Sequence, residues 1–470
     1  MNWIKTHIGP VAAGLGWLAT FGFFQFAYPY HLMRREQMNL FVYDGDYICE
    51  TYRGTGWLGR FAGDFLEQFF HLPVVGPLIV ALLLVGIGAA VYNICRHFLK
   101  QGPSMGIAAL FFVWSFLRET GNLYITRYTV VMLAYLSLVL LALQFRTARL
   151  RPVAAVLLLA VGCWALGSPF HKYYGKAWGV PRLYYEQVIG LDVLTAREDW
   201  DRIIQLSKRR DLRMEESSYC YNLAHAMKGD LGDTMLNYAQ NHNRTLLFTV
   251  SDENSLFTNS LAGEAWFQLG DMTVAEQSAI TSLQASPKHT GVRFLLRLAR
   301  VNLISGEDAA AQKYLNLLGK TLFYRTWAQR RMPGQQDEAL RAELAASRSR
   351  LARTDYVHHA SDPRRILKTL LEANPDNEQA LTYLLCYDLM SYDLDLFMED
   401  YEARMPKGRL YQEAILIWLS RRGTLGEQYF SRYGIDKSTT SRMDLFFRHP
   451  EKYRNSYWSY YMDALMNAAE

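Results

Sequence analysis

Val74–Tyr92 reads VVGPLIVALLLVGIGAAVY, with no charged residue along its length. An α-helix rises about 1.5 Å per residue and the hydrocarbon core of a bilayer is about 30 Å thick, so roughly 20 apolar residues make a span. This stretch therefore predicts a membrane-spanning helix, and it sets the reading of the sequence around it. Val11–Tyr28 and Thr129–Phe145 are similarly apolar. Met105–Leu117 is shorter but extends back to Pro103, and Val153–Leu166 follows Pro152, a residue suited to the first helical position. Residues 1–170 thus predict a bundle of about five transmembrane helices. A signal peptide is the competing reading of the first segment. Lys5 supplies a basic residue ahead of it, but no A-x-A site follows, and Tyr28-Pro29-Tyr30-His31 is a poor cleavage site.

The whole-chain averages conceal this. Half of the 470 residues are hydrophobic and 20% are charged, values ordinary for a soluble protein. The charge is concentrated in residues 171–470, which are numerous enough to build a second domain. The net charge is only +5 and the basic residues are dispersed, which argues against nucleic-acid binding. The five cysteines, Cys49, Cys95, Cys163, Cys220 and Cys386, form no CxxC and no Cys/His cluster, so free structural thiols are expected.

Arg96 and Lys100 follow the second span, and Arg146, Arg149 and Arg151 follow the fourth. This density of positive charge in short loops predicts that they, with Lys5, face the cytoplasm. An odd number of spans then carries residues 171–470 to the outside. In a bacterium the protein would sit in the inner (plasma) membrane with its C-terminal domain in the periplasm. The outer loop 31–73 is too long for a simple turn. Within it, Phe61, Phe65, Phe69 and Leu72 recur at helical spacing while Arg60, Asp64 and Glu67 occupy other faces. This predicts an amphipathic helix, lying either on the bilayer or against the bundle.

From about Tyr184 onward, apolar residues recur every three or four positions, which predicts helices. Gly-Asp, Asn-Pro-Asp and Ser-Pro punctuate them. Asn259–His289 is the clearest unit: Gly263 allows close helix packing, Trp266 supplies a large aromatic, and Gly270-Asp271 turns the chain. Ala275 and Ser282 are the small residues of the second helix, and Pro287 ends it. This unit resembles the tetratricopeptide repeat, with Ala279 standing where that family has an aromatic residue. Gly306-Glu307 repeats the turn 36 residues on, Gly229-Asp230 precedes it, and Pro375 lies in an Asn-Pro-Asp ending common in such repeats. The resemblance implies an all-α chain: a transmembrane helix bundle in residues 1–170, then an irregular α-solenoid of tetratricopeptide-like hairpins in 171–470. The layout resembles uncharacterised bacterial multi-pass membrane proteins. Stacked hairpins of this kind imply a concave surface that binds proteins or peptides, here through residues 180–470. Tyr383, Tyr387, Tyr392, Trp327 and Trp418 could line it, or could instead be hairpin core.

Tyr43-Asp44-Gly45-Asp46-Tyr47 places a D-x-D in the first outer loop. The placement resembles that of acidic residues in membrane glycosyltransferases that use lipid-linked sugars, where a carboxylate acts as general base or binds metal. The plainer reading is a solvated turn. His358-His359, beside Asp355 and Asp362, suggests a metal site only weakly, because adjacent helical residues point about 100° apart. Arg330 and Arg331, with Arg325 nearby, could meet anionic headgroups. There is no Walker A loop, no dinucleotide fingerprint, no H-E-x-x-H and no G-x-S-x-G elbow, so no cofactor or metal is expected. The expectation is a membrane-anchored scaffold or assembly factor, not an enzyme. The alternatives are a lipid-linked sugar transferase using Asp44 and Asp46, and a transporter component.

Overall fold

The computed structural model describes residues 2–121, 126–144, 150–167, 180–208, 212–354, 356, 358 and 362–469. The basic loop residues Arg146 and Arg149, and His359 and Asp355, lie outside the described residues. The chain forms two compact units, one of Met1–Gly190, Ser286–Leu296 and Gln312–Gln335, the other of Leu191–Ala285, Arg297–Ala311 and Gln336–Glu470. The fold is all-α, with no strand among the described residues.

The first unit opens with α1 (Asn2–Gly22), continued by a π-helical turn at Phe23–Ala27. Then follow α2 (Pro29–Gln37), α3 (Gly45–Thr51), α4 (Trp57–Glu67), α5 (Val75–Arg96), α6 (Gln101–Glu119), α7 (Thr126–Gln144) and α8 (Leu150–Leu166). Phe24, Val80 and Leu84 pack with Phe116, while Ile87 and Val91 pack with Ala108 and Met132. Position rises along α5 as it falls along α6, so these two helices are antiparallel. Hydrogen bonds join the end of α6 to the start of α7, through Glu119 and Thr129, and the start of α7 to the end of α4, just ahead of α5. Hence α5 and α7 begin at the same end of the bundle and run in the same direction.

Three helices are long and apolar enough to cross a membrane: Gly9–Ala27, Val75–Arg96 and Thr126–Gln144, with mean hydropathies of 1.2, 2.4 and 1.8. The expected five spans are thus three by length and composition. α6 opens on Gln101 and closes on Arg118 and Glu119, which dilutes its apolar character. α8 has 17 residues, about 25 Å of helix, short of the hydrocarbon thickness.

The aromatic helix of loop 31–73, α4, packs on the bundle. A Cβ added to Gly59 would lie 2.7 Å from Val131, and one added to Gly63 would lie 2.7 Å from the Arg127 backbone. Two glycines four apart let α4 approach α7 as closely as backbones allow, as small residues do at helix interfaces in membranes. Phe41 is the hub of the aromatic side, meeting Phe61 and Phe65 edge-on.

The rest of the chain is a series of shorter helices: α9 (Leu183–Ala196), α10 (Trp200–Ser207), α11 (Glu215–Lys228), α12 (Leu231–Thr234), α13 (Leu256–Leu269), α14 (Met272–Ala285), α15 (Val292–Ser305) and α16 (Asp308–Leu318). They continue as α17 (Arg325–Arg331), α18 (Glu338–Arg348), α19 (Pro363–Ala373), α20 (Glu378–Met390), α21 (Leu394–Glu402), α22 (Arg409–Arg421), α23 (Glu427–Arg432), α24 (Lys437–Arg448) and α25 (Tyr457–Ala469). α13 and α14 form the tightest hairpin of the second unit. Gly263 touches Ser278 so closely that an added Cβ would lie 2.7 Å from the Ser278 Cβ, and Ser278 Oγ donates to Asn259 O at 2.6 Å. Trp266, Ala275 and Ser282 are buried at this seam. Contacts in the unit also skip along the chain: Arg409 N donates to Asp233 at 2.7 Å, and Asn243 Nδ2 donates to Ser391 Oγ at 2.9 Å. A simple stack, in which each repeat meets only its neighbours, would not bring these residues together.

Gly263→Val should lower stability by about 1–3 kcal/mol, because a side chain there must push α14 away. Gly306→Ala, at φ +83° but with nothing within 4 Å of the added atom, should cost only about 1 kcal/mol. Thermal unfolding of the two full-length variants, followed by circular dichroism, measures the difference. Equal effects would show that close approach at Gly263 does not matter.

Candidate functional site

The first unit gathers its buried charge in one polar layer, where α1 ends, α5 begins, α6 ends and α7 begins. Arg35 of α2 is its centre. Its Nη1 donates to Glu119 Oε1 at 2.6 Å and its Nη2 to Glu119 O at 2.6 Å, and it lies 3.2 Å from His31 Nε2. The other Glu119 oxygen accepts from Thr129 Oγ1 at 2.7 Å. Both partners are nearly inaccessible, with side chains 8% and 1% exposed. A buried pair of this kind stands only when the remaining lone pairs are also satisfied, and Thr129 meets that need.

Four further buried carboxylates surround the pair. Glu67 Oε1 accepts from Thr126 N at 2.9 Å, capping α7 from outside the helix. Asp64 Oδ2 accepts from Tyr52 OH at 3.1 Å. Glu36 Oε1 accepts from Tyr324 OH at 2.6 Å, and that hydroxyl lies 3.3 Å from His71 Nδ1. Glu186 Oε1 accepts from Tyr30 N at 2.6 Å and His31 N at 3.1 Å, so it caps α2. Burial, with Arg35 and Arg34 beside it, holds the His31 imidazole well below its ordinary pKa. Burial raises the Glu186 carboxyl to about 8, against the two backbone donors that favour its charged form. The cleft beside Glu36, Asn39, Gln68 and Tyr324 holds only about 20 Å³, room for a water molecule.

The D-x-D of residues 44–46 lies at the start of α3. Asp44 is the N-cap of α3, accepting from Tyr47 N at 3.1 Å, and it pairs with Lys320 Nζ at 2.6 Å. The hydrogen bond from Lys320, with that from Tyr47, holds its pKa below the usual value. Asp46 lies exposed in the first turn of α3. A carboxylate paired with lysine and committed to a helix start is a poor general base.

In the second unit the residues singled out by the repeat pattern sit at turns and seams. Gly270, at φ +93°, ends α13, and Asp271 caps α14 by accepting from Val274 N at 2.9 Å. Asp271 also accepts from Tyr356 OH at 2.6 Å and lies 3.1 Å from His358 Nε2. Its hydrogen bond raises the His358 pKa, so that histidine is held by a turn carboxylate. Among the described residues no three His, Cys, Asp or Glu side chains converge as metal ligands. Pro287, which belongs to the first unit, opens a 3₁₀ turn; Gly306 turns the chain at φ +83°, and Pro375 lies between Asn374 and the α20 cap Asn377. Of the aromatic candidates, Tyr383 is buried, Trp418 donates to Asp395 at 2.9 Å with Arg422 over its ring, and Tyr392 stacks on Tyr460. In the first unit Trp327 lies beneath Arg331.

The polar layer was invisible as a unit in the sequence, because its members come from positions 31 to 324. One signal was available: Arg118 and Glu119 close an apolar helix, and ionisable residues in such places are rarely idle.

The chain belongs to a family of unknown function, DUF6057, whose model matches residues 3–173 and 169–464. Neither the curated proteins nor the solved structures contain a match to it.

The Glu186 pKa has a measurable consequence. The unfolded chain loses this proton near 4.5, whereas the folded protein retains it to about 8. Its stabilising contribution is therefore full below the lower value and lost as pH rises to the upper one. Glu186→Gln should flatten that part of the pH dependence of the unfolding midpoint. An unchanged pH profile in the variant would remove Glu186 as its source.

Proposed function

We propose that this protein is a membrane-anchored scaffold or assembly factor, held in the bilayer by its apolar helices and binding proteins or peptides through residues 180–470. One observation carries the choice over an enzyme: the buried carboxylates of the polar layer each have an oxygen engaged by a protein donor, around a cleft of about 20 Å³. A lipid-linked sugar needs far more room. Asp44 and Asp46 are better explained by the start of α3 and the Lys320 pair. The hairpin packing of α13 on α14, with its glycine seam and Gly-Asp turn, supports a tetratricopeptide-like binding role.

The parallel course of α5 and α7 favours a further crossing. If both traverse the bilayer in one direction, the chain must return between them, and α6 is the helix that lies between them in sequence. α8 then completes an odd number of passages, and residues 171–470 fall on the outer side, the periplasm of a bacterium. A cysteine at Ser441, an exposed position, in a cysteine-free background reports this directly. Membrane-impermeant thiol reagent should label it in intact cells; labelling only after lysis would overturn the placement.

Purification of the full chain in mild detergent should recover specific protein partners. Asp44→Asn combined with Asp46→Asn should leave that recovery and the cellular phenotype unchanged. A monodisperse full chain that retrieves nothing, together with loss of phenotype in the double variant, would sink the scaffold reading in favour of the enzyme.

A further inference from the structure

Large apolar side chains exposed on the second unit are concentrated on α24 and α25, where Phe447, Met462 and Leu465 share one face. Leu445 and Phe447 of α24 and Met462, Leu465 and Met466 of α25 are 42–66% exposed. Elsewhere in that unit only Ile280, Met405 and Leu425 are comparably bare among the described residues. Soluble surfaces scatter such residues singly, and their clustering marks an interaction site.

The face is concave. α22, α24 and α25 enclose a recess of about 290 Å³ lined by Ile417, Met443, Phe446, Trp458, Tyr461 and Leu465. Trp458 forms part of its buried base, anchored by its Nε1 donating to Glu413 O at 3.0 Å. Glu413 also accepts from Tyr457 N at 2.7 Å and lies 3.4 Å from Arg442, so α22, α24 and α25 are tied together beneath the recess. The recess is therefore built into a braced site. Its volume falls just below the roughly 300–1,000 Å³ of pockets for drug-sized ligands, and suits a few apolar side chains instead. Methionine at two positions, Met443 and Met462, provides the adaptable lining found at helix-binding grooves.

Arg421 is the one charged residue among those lining the recess. On the segments that form the groove, Arg421, Lys437, Arg448, Lys452 and Arg454 make no ion pair among the described residues, against the acidic Asp436, Asp444, Glu451 and Asp463. Glu451 is already beside His449 at 3.6 Å. The complementary ligand has apolar side chains on one face and carboxylates beside them.

We propose that α22, α24 and α25 form a docking groove for an acidic amphipathic helix of a partner protein. The helix places apolar residues one turn apart in the recess and its carboxylates on the rim bases. This rests on the scaffold reading and adds to it a location and a partner chemistry. An anionic bilayer would also attract arginine and exposed phenylalanine, but a flat surface cannot enter the recess over Trp458.

The test uses the full chain in phosphatidylcholine nanodiscs and a fluorescent helical peptide with leucine at i, i+3, i+4 and i+7 and glutamate on its other faces. Two control peptides replace glutamate by lysine, or leucine by serine. The acidic peptide should bind at least about tenfold more tightly than the lysine peptide, and the serine peptide should not bind. Phe447→Ser with Leu465→Ser should weaken binding at least about tenfold, while Arg448→Gln with Lys452→Gln should abolish the preference for glutamate. All four positions are exposed, so circular dichroism should be unchanged. Equal affinity for acidic and basic peptides, or indifference to the groove substitutions, would overturn the proposal. So would a result in which the substitutions spare peptide binding but remove binding to phosphatidylserine vesicles. If the peptide fails while the full chain still recovers partners, this inference falls and the scaffold reading stands; failure to recover any partner falls on the scaffold reading itself.

Discussion

The first unit depends on one buried ion pair, Arg35 with Glu119. Removing two charges from water costs several kcal/mol per ion, and the arrangement meets that cost by dividing the work. The guanidinium takes both a carboxylate oxygen and the backbone carbonyl of Glu119, and Thr129 takes the other oxygen. Three elements, α2, the end of α6 and the start of α7, are thereby placed to within hydrogen-bonding tolerance. Apolar packing between helices could not do this alone. Among lipid chains it is weakly directional, and helices tend to slide unless small residues or polar contacts set their register.

Around that pair, carboxylates do the work that local caps do in an isolated helix. Glu67 caps α7 and Glu186 caps α2, each from another element. Capping from a distance links helix formation to tertiary structure: α2 gains its cap only when the chain near Glu186 has arrived. In the second unit the same economy appears at Asp271, which caps its own helix α14 and also holds Tyr356 and His358, 85 and 87 residues away. A turn residue of the repeat pattern thus becomes a point where distant chain is fastened. Buried Glu264 binds Arg297, whose guanidinium lies 3.7 Å over the Phe267 ring, so charge and aromatic packing are combined at the same hairpin.

Much of this architecture is legible in the sequence. The apolar run at Val74–Tyr92 and the spacing of Gly263, Trp266, Gly270 and Ala275 are local patterns, and local patterns report helices, turns and close seams. The aromatic ladder Phe61, Phe65 and Phe69 was legible as one side of a helix. Which neighbour that helix would choose was not, because Gly59 and Gly63 gain meaning only when α7 lies against them. Asp44 and Asp46 had the look of chemistry; the structure makes one a cap and an ion-pair partner and leaves the other in solvent. The apolar runs of α6 and α8 drew the expectation of five spans, whereas three helices qualify by length and composition, because α6 has polar ends and α8 is short.

By itself, the sequence determined that the chain is helical, that its N-terminal third is apolar enough to cross a membrane, and where the Gly-Asp turns fall. These properties follow from hydrophobicity, spacing and backbone freedom, all of which act over a few residues. Tertiary structure alone decided which carboxylates are buried and what satisfies them. It also decided that residues 286–296 and 312–335 belong with the first unit and that Phe447, Met462 and Leu465 share one exposed face. The physical reason is the same in each case. A buried charge is tolerated, and an apolar side chain left bare, according to what other parts of the chain bring within a few ångströms of it, and sequence separation carries no record of that distance.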